Sequence, residues 1–328
     1  MIPLARRPAG TPKGSETSHR RALMAAAVSG AVLAAQQRLN GGLGDRLHDA
    51  LGAALVSLCL AFAVSALIVA ASPAGRRSIR AVAGVPRWQL LGGLGGAAMV
   101  SVGAVATPHI GVALLSVGIV AGQTSGGMLV DRVGLGPGGR HTLTPPRLGG
   151  ALLCLTAVGI GLIGHGPHHA AVALVLLAVA AGSLASGQQA LNGRMRHDTG
   201  NAMLAANVNF AVGAIAVVLV IVATGAVSSW PSLHTSSGSV WYLFLGGPFG
   251  VLVVWVASVT VRLLGVLRLS LAVTAGQLIG SLVLDEVWPE PGTSIGIGTV
   301  LGAVLTVIAV AVANLRTVPD DRDARRLS

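Results

Sequence analysis

Apolar blocks about as long as a bilayer is thick recur along the whole chain, and they constrain its fold more than any other feature. An α-helix needs roughly 20 apolar residues to cross the hydrocarbon core of a membrane. Of the 328 residues, 53% are hydrophobic and only 10% are charged, whereas a soluble domain carries about 25% charged residues. The sequence therefore predicts an all-α polytopic membrane protein with ten transmembrane helices, near residues 22–38, 51–71, 88–107, 109–130, 147–164, 170–190, 201–224, 240–262, 265–284 and 294–315.

Two of the breaks between these helices are very short, at Thr107-Pro108-His109 and at Arg262-Leu263-Leu264-Gly265. A continuous helix across either break would be too long for a bilayer even when tilted. We therefore expect the chain to turn at both places within a few residues.

The basic residues are distributed unevenly between the two sides of this ten-helix arrangement. Twenty of the 22 Lys and Arg residues fall on the side that holds both chain ends, and only Arg38 and Arg46 fall on the other. Short loops rich in Lys and Arg stay in the cytoplasm, so both termini are predicted to be cytoplasmic. The net charge of +11 is spread over separate loops, which argues against a nucleic-acid partner.

The strongest pattern in the sequence is an internal repeat. The segment Gln36-Gln37-Arg38-Leu39-Asn40-Gly41 matches Gln188-Gln189-Ala190-Leu191-Asn192-Gly193 at an offset of 152. Farther on, Gly122-Gln123 and Asp131 match Gly276-Gln277 and Asp285 at an offset of 154, and six of the seven glutamines fall in these pairs. We therefore divide the chain into a cytoplasmic tail (1–21), two five-helix repeats (22–168 and 169–316) and a second cytoplasmic tail (317–328).

The two repeats are expected to be inverted relative to each other, because five crossings is an odd number. Inverted repeats are typical of secondary transporters, whose substrate site lies near the membrane midplane where the repeats meet. The pair Arg20-Arg21 before the first apolar block also resembles a twin-arginine export signal. The repeat favours treating that block as an integral part of the fold.

Three motifs of the first repeat occur together: the Gln-x-x-Leu-Asn-Gly end of the first helix, the Gly-Gln-x7-Asp end of the fourth, and the start of the fifth at Pro145, Arg147 and Gly150. In this combination the chain resembles the YdcZ-like family of the drug/metabolite transporter superfamily. The resemblance implies a fold of ten helices in two inverted repeats and the export of small molecules, and it names no substrate. Asp131-Arg132-Val133-Gly134 stands where the family has Asp-His-Phe-Gly, and the second repeat has no arginine matching Arg147.

Polar side chains inside the predicted helices are the candidates for a substrate path, because a polar group in hydrocarbon needs a partner. Ser116 and Gln123 share one helix face two turns apart, and the repeat places Ser270 and Gln277 on the matching face. These residues could contact a neutral or zwitterionic small-molecule substrate, or they could bond across packed helices beside small-residue ladders. A second set lies at the ends of the first and sixth helices: Gln36, Gln37, Asn40, Gln188, Gln189 and Asn192. These residues could line a cavity on the substrate path, or they could form polar helix ends that Asn and Gly cap.

Acidic residues are absent from the middle third of every predicted helix, so proton coupling through a buried carboxylate is not expected. Asp131 and Asp285 instead end the fourth and ninth helices, on opposite sides of the membrane. A carboxylate is unfavourable at a helix C-terminus unless something compensates it, so each should have a partner, such as Arg132 or Arg147 for Asp131. Both aspartates are candidate gate residues, and the alternative is a static brace of the adjoining loop.

The sequence does not predict an enzyme. No nucleophile with a neighbouring base is expected at membrane depth, no cofactor is implied, and His165, His168 and His169 are interpreted as solvated loop residues rather than metal ligands. The alternatives to a transporter are a non-transporting membrane scaffold or sensor and, less favoured, an integral membrane lipid-handling enzyme. The expected partners are the substrate and the lipid bilayer, and the small-residue ladders leave a homodimer open.

Overall fold

The computed structural model describes residues 13–136, 139–140, 143–163, 169–225, 240–289 and 295–314, and within them the regular structure is entirely helical. Short 3₁₀ turns precede the fourth and eighth α-helices. The α-helices are α1 (Lys13–Leu47), α2 (Ala50–Ala71), α3 (Pro73–Ala81), α4 (Gly92–Val133), α5 (Pro145–Gly161), α6 (His169–Thr199), α7 (Ala202–Thr224), α8 (Gly246–Val287) and α9 (Ile297–Ala313).

Local sequence signals fix several helix ends where the apolar composition by itself would not. The Asp49 carboxylate accepts a hydrogen bond from the Gly52 N–H at 2.8 Å and so caps the start of α2. Asn201 caps α7 by accepting from two backbone N–H groups, at 3.0 and 3.1 Å. Gly134 and Gly225 end α4 and α7 in the left-handed conformation that favours glycine. Such caps satisfy backbone groups that the helix itself leaves unpaired.

The positions of two predicted boundaries are wrong. The predicted helices 88–107 and 109–130 form one helical run, α4, and the break lies at Gly111 (φ +73°, ψ 167°) rather than at Thr107-Pro108-His109. Pro108 is accommodated inside the helix before the break, and only a residue without a Cβ adopts the Gly111 conformation readily. At the other boundary, α1 continues to Leu47, so Arg38 lies within a helix and is only 3% exposed.

The two arms of α4 (92–110 and 112–133) run antiparallel along α6. A Cβ placed on Gly96, before the break, would lie 3.0 Å from Gln188 Nε2. A Cβ placed on Gly126, after the break, would lie 2.6 Å from Ser183 Cα. Positions about four turns to either side of Gly111 therefore contact the same stretch of α6, which requires the chain to reverse at the glycine.

The two arms of α8 (246–264 and 268–287) are arranged in the same way along α1. Gly250, in the first arm, lies beside the Gln36 amide. Leu264 then packs in a cluster with Ala22, farther toward the start of α1. Gly280, in the second arm, is back beside Ala31. Both α4 and α8 are thus helical hairpins that lie against the first helix of the other repeat.

Glycines allow the first helix of each repeat to pack closely on the hairpin of the other. A Cβ on Gly122 would lie 2.0 Å from the Val179 carbonyl oxygen of α6, and one on Gly182 would lie 2.1 Å from the Ile119 oxygen of α4. Their equivalents in the repeat, Gly276 and Gly30, make the same approach between α8 and α1. Each repeat therefore extends its first helix into the other repeat, and the two are interlocked.

The best-buried part of the bundle is the second arm of α4, which packs with α5 and α9. Leu114, Leu115 and Ile119 are fully buried in this core. Among the described residues, seven helical segments are long and apolar enough to cross a membrane, with α4 counted once and α8 as two segments. Large apolar side chains such as Leu176, Leu219 and Val222 remain exposed on the outside, as expected of helices that face lipid.

Candidate functional site: a polar stripe between the repeats

The second arms of α4 and α8 carry equivalent stripes of side chains, each on one face of its helix. We call these the inner stripes: Ser116, Val120, Gln123 and Gly127 in α4, and Ser270, Thr274, Gln277 and Ser281 in α8. Spacings of three and four residues place each set on one helix face. All four positions of the α8 stripe have hydrogen-bonding side chains. The sequence analysis missed Thr274 and Ser281, although their spacing from Ser270 and Gln277 could have revealed them.

Burial along both inner stripes decreases in the same direction. In α4, Ser116 is fully buried and Gln123 is half-buried. In α8, Ser281 is fully buried, Gln277 is 2% exposed and Ser270 is exposed. The second arms run in opposite directions, so both stripes become more exposed toward the end of the bundle that contains Asp131. Both stripes are buried toward the end of the bundle that contains Asp285. We call the two ends the Asp131 end and the Asp285 end.

Two equivalent pairs of side chains differ in burial: one is buried at the Asp285 end, and the other is exposed. At the Asp285 end, the Ser116 hydroxyl donates to Gln37 Oε1 at 3.2 Å, and both residues are buried. The repeat makes Gln189 and Ser270 the equivalents of Gln37 and Ser116, and both of these are exposed. Gln189 lies two turns from Gly182, which packs tightly on α4. It is therefore on the face that α6 turns toward the other repeat.

Asp285 binds the backbone at the break in α4. Its carboxylate accepts hydrogen bonds from the N–H groups of Val112 at 2.9 Å and Ala113 at 2.7 Å. These are the first amides of the second arm, where the helix dipole favours a negative charge. A Cβ on Gly111 would lie 2.8 Å from Asp285 Oδ2, so the glycine makes room for the carboxylate. Asp285 thereby ties the second repeat to the first.

Asp131 has a different partner although it is the equivalent residue. Its carboxylate forms a salt bridge with Arg147 at 2.8 Å, and the two side chains are about one-third exposed, at 37% and 33%. Arg132, the other partner considered, is exposed. Because Arg147 begins α5 of the same repeat, this bridge does not join the two repeats. The aspartates therefore make non-equivalent contacts in one structure.

Two arginines anchor the ends of the hairpins. Arg38 of α1 donates to the Trp288 carbonyl oxygen, and its guanidinium lies 5.0 Å from the centre of the Trp288 ring. Arg194 of α6 donates to the carbonyl oxygens of Gly134 and Leu135 at 2.8 and 2.6 Å. Gly134 and Trp288 are equivalent in the repeat. The sequence analysis missed this pair because Arg194 lies one helical turn beyond the position equivalent to Arg38.

The remaining candidate amides lie between helices. Gln36 and Asn40 contact the first arm of α8 at Gly250 and Gly246, and Gln188 contacts the first arm of α4 at Gly96. Asn192 accepts a hydrogen bond from Asn209 of α7. The alternative of a capped helix end is wrong, because α1 and α6 continue past these residues to Leu47 and Thr199. Of the first-helix candidates, Gln37 reaches an inner stripe, and Gln189 lies on the equivalent face.

The histidines of the α5–α6 connection are only partly described. His165 and His168 lie outside the described residues, and His169 begins α6. In the described part of the chain, no group of three or more His, Cys, Asp or Glu residues could hold a metal ion.

Membrane-length helices in two interlocked repeats that carry the same polar motifs define the class of multi-pass membrane transporters. The family model described as "Putative inner membrane exporter, YdcZ" matches the chain twice, over residues 21–160 and 173–312. The chain belongs to this family of drug/metabolite transporters. The double match confirms the predicted family and its two-repeat organisation.

A solved crystal structure shares the fold. It is 21% identical in sequence, the match covers 95% of this chain and 99% of that chain, and the TM-score is 0.55. No curated protein matches the sequence. Family membership therefore supports a transporter in general, and the identity of its substrate is a separate question.

Proposed function

We propose that the protein is a secondary transporter that exports a small polar solute across the bacterial inner membrane by alternating access between two inverted five-helix repeats. The observation that carries this proposal is the graded exposure of the inner stripes. The path along the inner stripes is closed where Ser116 bonds Gln37 and exposed at the equivalent residues Ser270 and Gln189. A transporter at rest in one of its two states has this asymmetry between equivalent positions.

The antiparallel arms of α4 and α8 support ten membrane crossings, since each hairpin then accounts for two. With ten crossings, both termini lie on one side of the membrane. The concentration of arginines on that side favours the cytoplasm. The Asp131 end is then cytoplasmic, and this structure corresponds to the inward-open state.

The two aspartates are the proposed gates. In the inward-open state, Asp285 holds the outer end closed through the Val112 and Ala113 amides. The repeat makes the amides of residues 266 and 267 the equivalent target for Asp131. In the outward-open state, Asp131 leaves Arg147 and binds these amides, while Asp285 releases α4. The exchange conserves the number of capped helix starts, whereas the salt bridge between Asp131 and Arg147 exists only in the inward-open state and favours it.

The proposed substrate is neutral or zwitterionic and offers hydrogen-bonding groups. The inner stripes contain hydroxyl and amide groups and no formal charge. Gln277 is 2% exposed, and its Nε2 has no hydrogen-bond partner within the described residues. A buried amide without a partner costs about 1–3 kcal/mol, and a solute acceptor would remove that cost. Gln123, at the equivalent position, completes the proposed central site.

Cysteine accessibility tests the state assignment. Ser270→Cys and Ser116→Cys are made in a background in which Cys59 and Cys154 are replaced by serine, and an impermeant maleimide is applied to inside-out vesicles and to intact cells. We expect Ser270→Cys to react in inside-out vesicles and Ser116→Cys to be protected. Equal labelling of both positions, or labelling of Ser270→Cys from the cell exterior alone, would contradict the proposal.

A thermal-stability screen tests the substrate site. Purified protein is screened with amino acids, sugars, nucleosides, polyamines and cationic drugs. A compound at 100 times its dissociation constant adds about 2.7 kcal/mol to the free energy of unfolding. We expect stabilisation of the wild type by one neutral or zwitterionic class, with loss of the effect in Gln277→Ala and Gln123→Ala. Equal stabilisation of all three proteins would show that these glutamines only pack helices.

A further inference from the structure

The short helix α3 carries a basic surface that the transport proposal does not use. Arg76, Arg77 and Arg80 lie on it, and all three are exposed. No Asp or Glu occurs in the sequence between Asp49 and Asp131. In the part of the chain that the structure describes, none of the three arginines forms a salt bridge with a carboxylate.

The structure holds α3 firmly at the end of α2. The Gly75 N–H donates to the Ser72 hydroxyl at 3.2 Å, which caps the first turn. Gly75 itself is buried, and a Cβ there would lie 2.2 Å from the Val69 carbonyl oxygen. Arg76 folds back to donate to the Ala70 carbonyl oxygen at 2.6 Å. The helix is therefore fixed against the bundle by its Gly75 face.

Helical geometry then places Arg77 and Arg80 away from the bundle, because they lie at roughly 200° and 140° from Gly75 around the helix axis. Exposed apolar side chains lie elsewhere on this part of the chain. Ile79 is 49% exposed and lies about 40° from Gly75, on the other side of α3 from Arg77. Trp88, just before α4, is 42% exposed and has the Arg194 guanidinium 5.4 Å from its ring centre. Tryptophan is enriched at the membrane interface. A short helix with cationic residues on one side, directly after a membrane-length helix, matches the chemistry of a bilayer surface.

We propose that α3 is a binding site for the headgroups of anionic phospholipids, with Arg77 and Arg80 as its principal contacts. Guanidinium groups bind phosphate oxygens in pairs of hydrogen bonds. The acidic residues of the C-terminal tail, such as Asp320 and Asp321, are the other anionic groups of this chain that could bind there. The position of α3 directly after the membrane-length helix α2, at the edge of the bilayer, favours the lipid.

The test measures lipid preference of the full-length protein in nanodiscs. Binding of fluorescent phosphatidylglycerol and phosphatidylcholine is compared for the wild type and for a variant with Arg77→Gln and Arg80→Gln, which keeps the Arg76 contact. Each arginine near an anionic surface contributes about a fivefold preference. We therefore expect the wild type to prefer phosphatidylglycerol and the double variant to lose roughly 25-fold of that preference.

Two matched variants make the result specific. Arg77→Lys with Arg80→Lys keeps the charge and should keep most of the preference, and Arg46→Gln, an exposed arginine at the other end of the bundle, should leave it unchanged. Glycerol phosphate in excess should compete weakly, because it lacks acyl chains. An unchanged preference in the double glutamine variant would overturn the proposal. The proposal would also be overturned if the full-length protein showed no preference and a variant lacking residues 317–328 did. The tail would then be the group that occupies α3.

Discussion

Replacing Gly276 by alanine tests the interlocked packing of the two repeats. The methyl group would lie 1.8 Å from the Ala27 carbonyl oxygen, whereas ordinary contacts begin near 3.4 Å. The second arm of α8 and α1 would have to separate by more than 1 Å at this point. The obstructing atom belongs to the helix backbone, so no change of side-chain rotamer relieves the contact.

The clash at Gly276→Ala should lower the free energy of unfolding. Overpacking of a well-packed contact costs about 1–3 kcal/mol, while alanine gains up to about 1 kcal/mol over glycine in helix propensity. Gly187→Ala in α6 is the matched control, because a Cβ there meets nothing within 4 Å. The control gains the same propensity without the clash. The difference between the two variants should therefore be about 1–3 kcal/mol, with Gly276→Ala the less stable.

The assay is reversible unfolding of the purified protein by SDS in mixed micelles, followed by tryptophan fluorescence. Gly122→Ala provides an internal replicate, because its Cβ would lie 2.0 Å from the Val179 carbonyl oxygen at the equivalent contact. We expect Gly122→Ala and Gly276→Ala to lose similar stability. If both were as stable as Gly187→Ala, the close approach of the helices, and with it the interlocked arrangement, would be refuted.

Three further variants probe the site and the helix ends. Asp285→Asn removes the charge at the start of the second arm of α4, which should weaken the closed end by about 1 kcal/mol and raise maleimide labelling of Ser116→Cys; unchanged labelling would speak against a gate. Ser116→Ala should cost about 1 kcal/mol because buried Gln37 loses its hydrogen bond, whereas Ser270→Ala, at the exposed equivalent position, should leave the free energy of unfolding nearly unchanged. Asn201→Ala removes the cap of α7 and should cost about 1 kcal/mol, measurable as faster hydrogen exchange in the first turn; exchange as slow as in the wild type would show that the cap is dispensable.

Apolar periodicity and rare polar residues made much of the fold predictable. The lengths of the apolar blocks predicted membrane-crossing helices because a bilayer leaves few other ways to satisfy the backbone. The repeated glutamines predicted two related halves, since polar side chains are costly and rare inside membrane helices. The same residues did not reveal which of them share a contact.

Register and partner choice limited the prediction of the site. Gln36 and Gln37 are adjacent in sequence, yet one packs against a glycine of α8 and the other bonds Ser116 of α4. A helix turns about 100° per residue, so neighbours in sequence face different elements, and only the packing tells which. The equivalence of Arg38 and Arg194 was not predicted for a related reason. Arg194 lies one helical turn beyond the position equivalent to Arg38, yet both side chains reach equivalent carbonyl groups.

The sequence by itself determined that the chain is a membrane protein built from two related halves, because hydrophobic length and repeated polar motifs are properties of the linear chain. Only the tertiary structure decided that the equivalent residues differ in environment. Asp285 binds the backbone of the opposite repeat, while Asp131 pairs with Arg147 of its own. The two copies of a motif have nearly the same residues, but in one structure each copy packs against different neighbours, so their contacts differ.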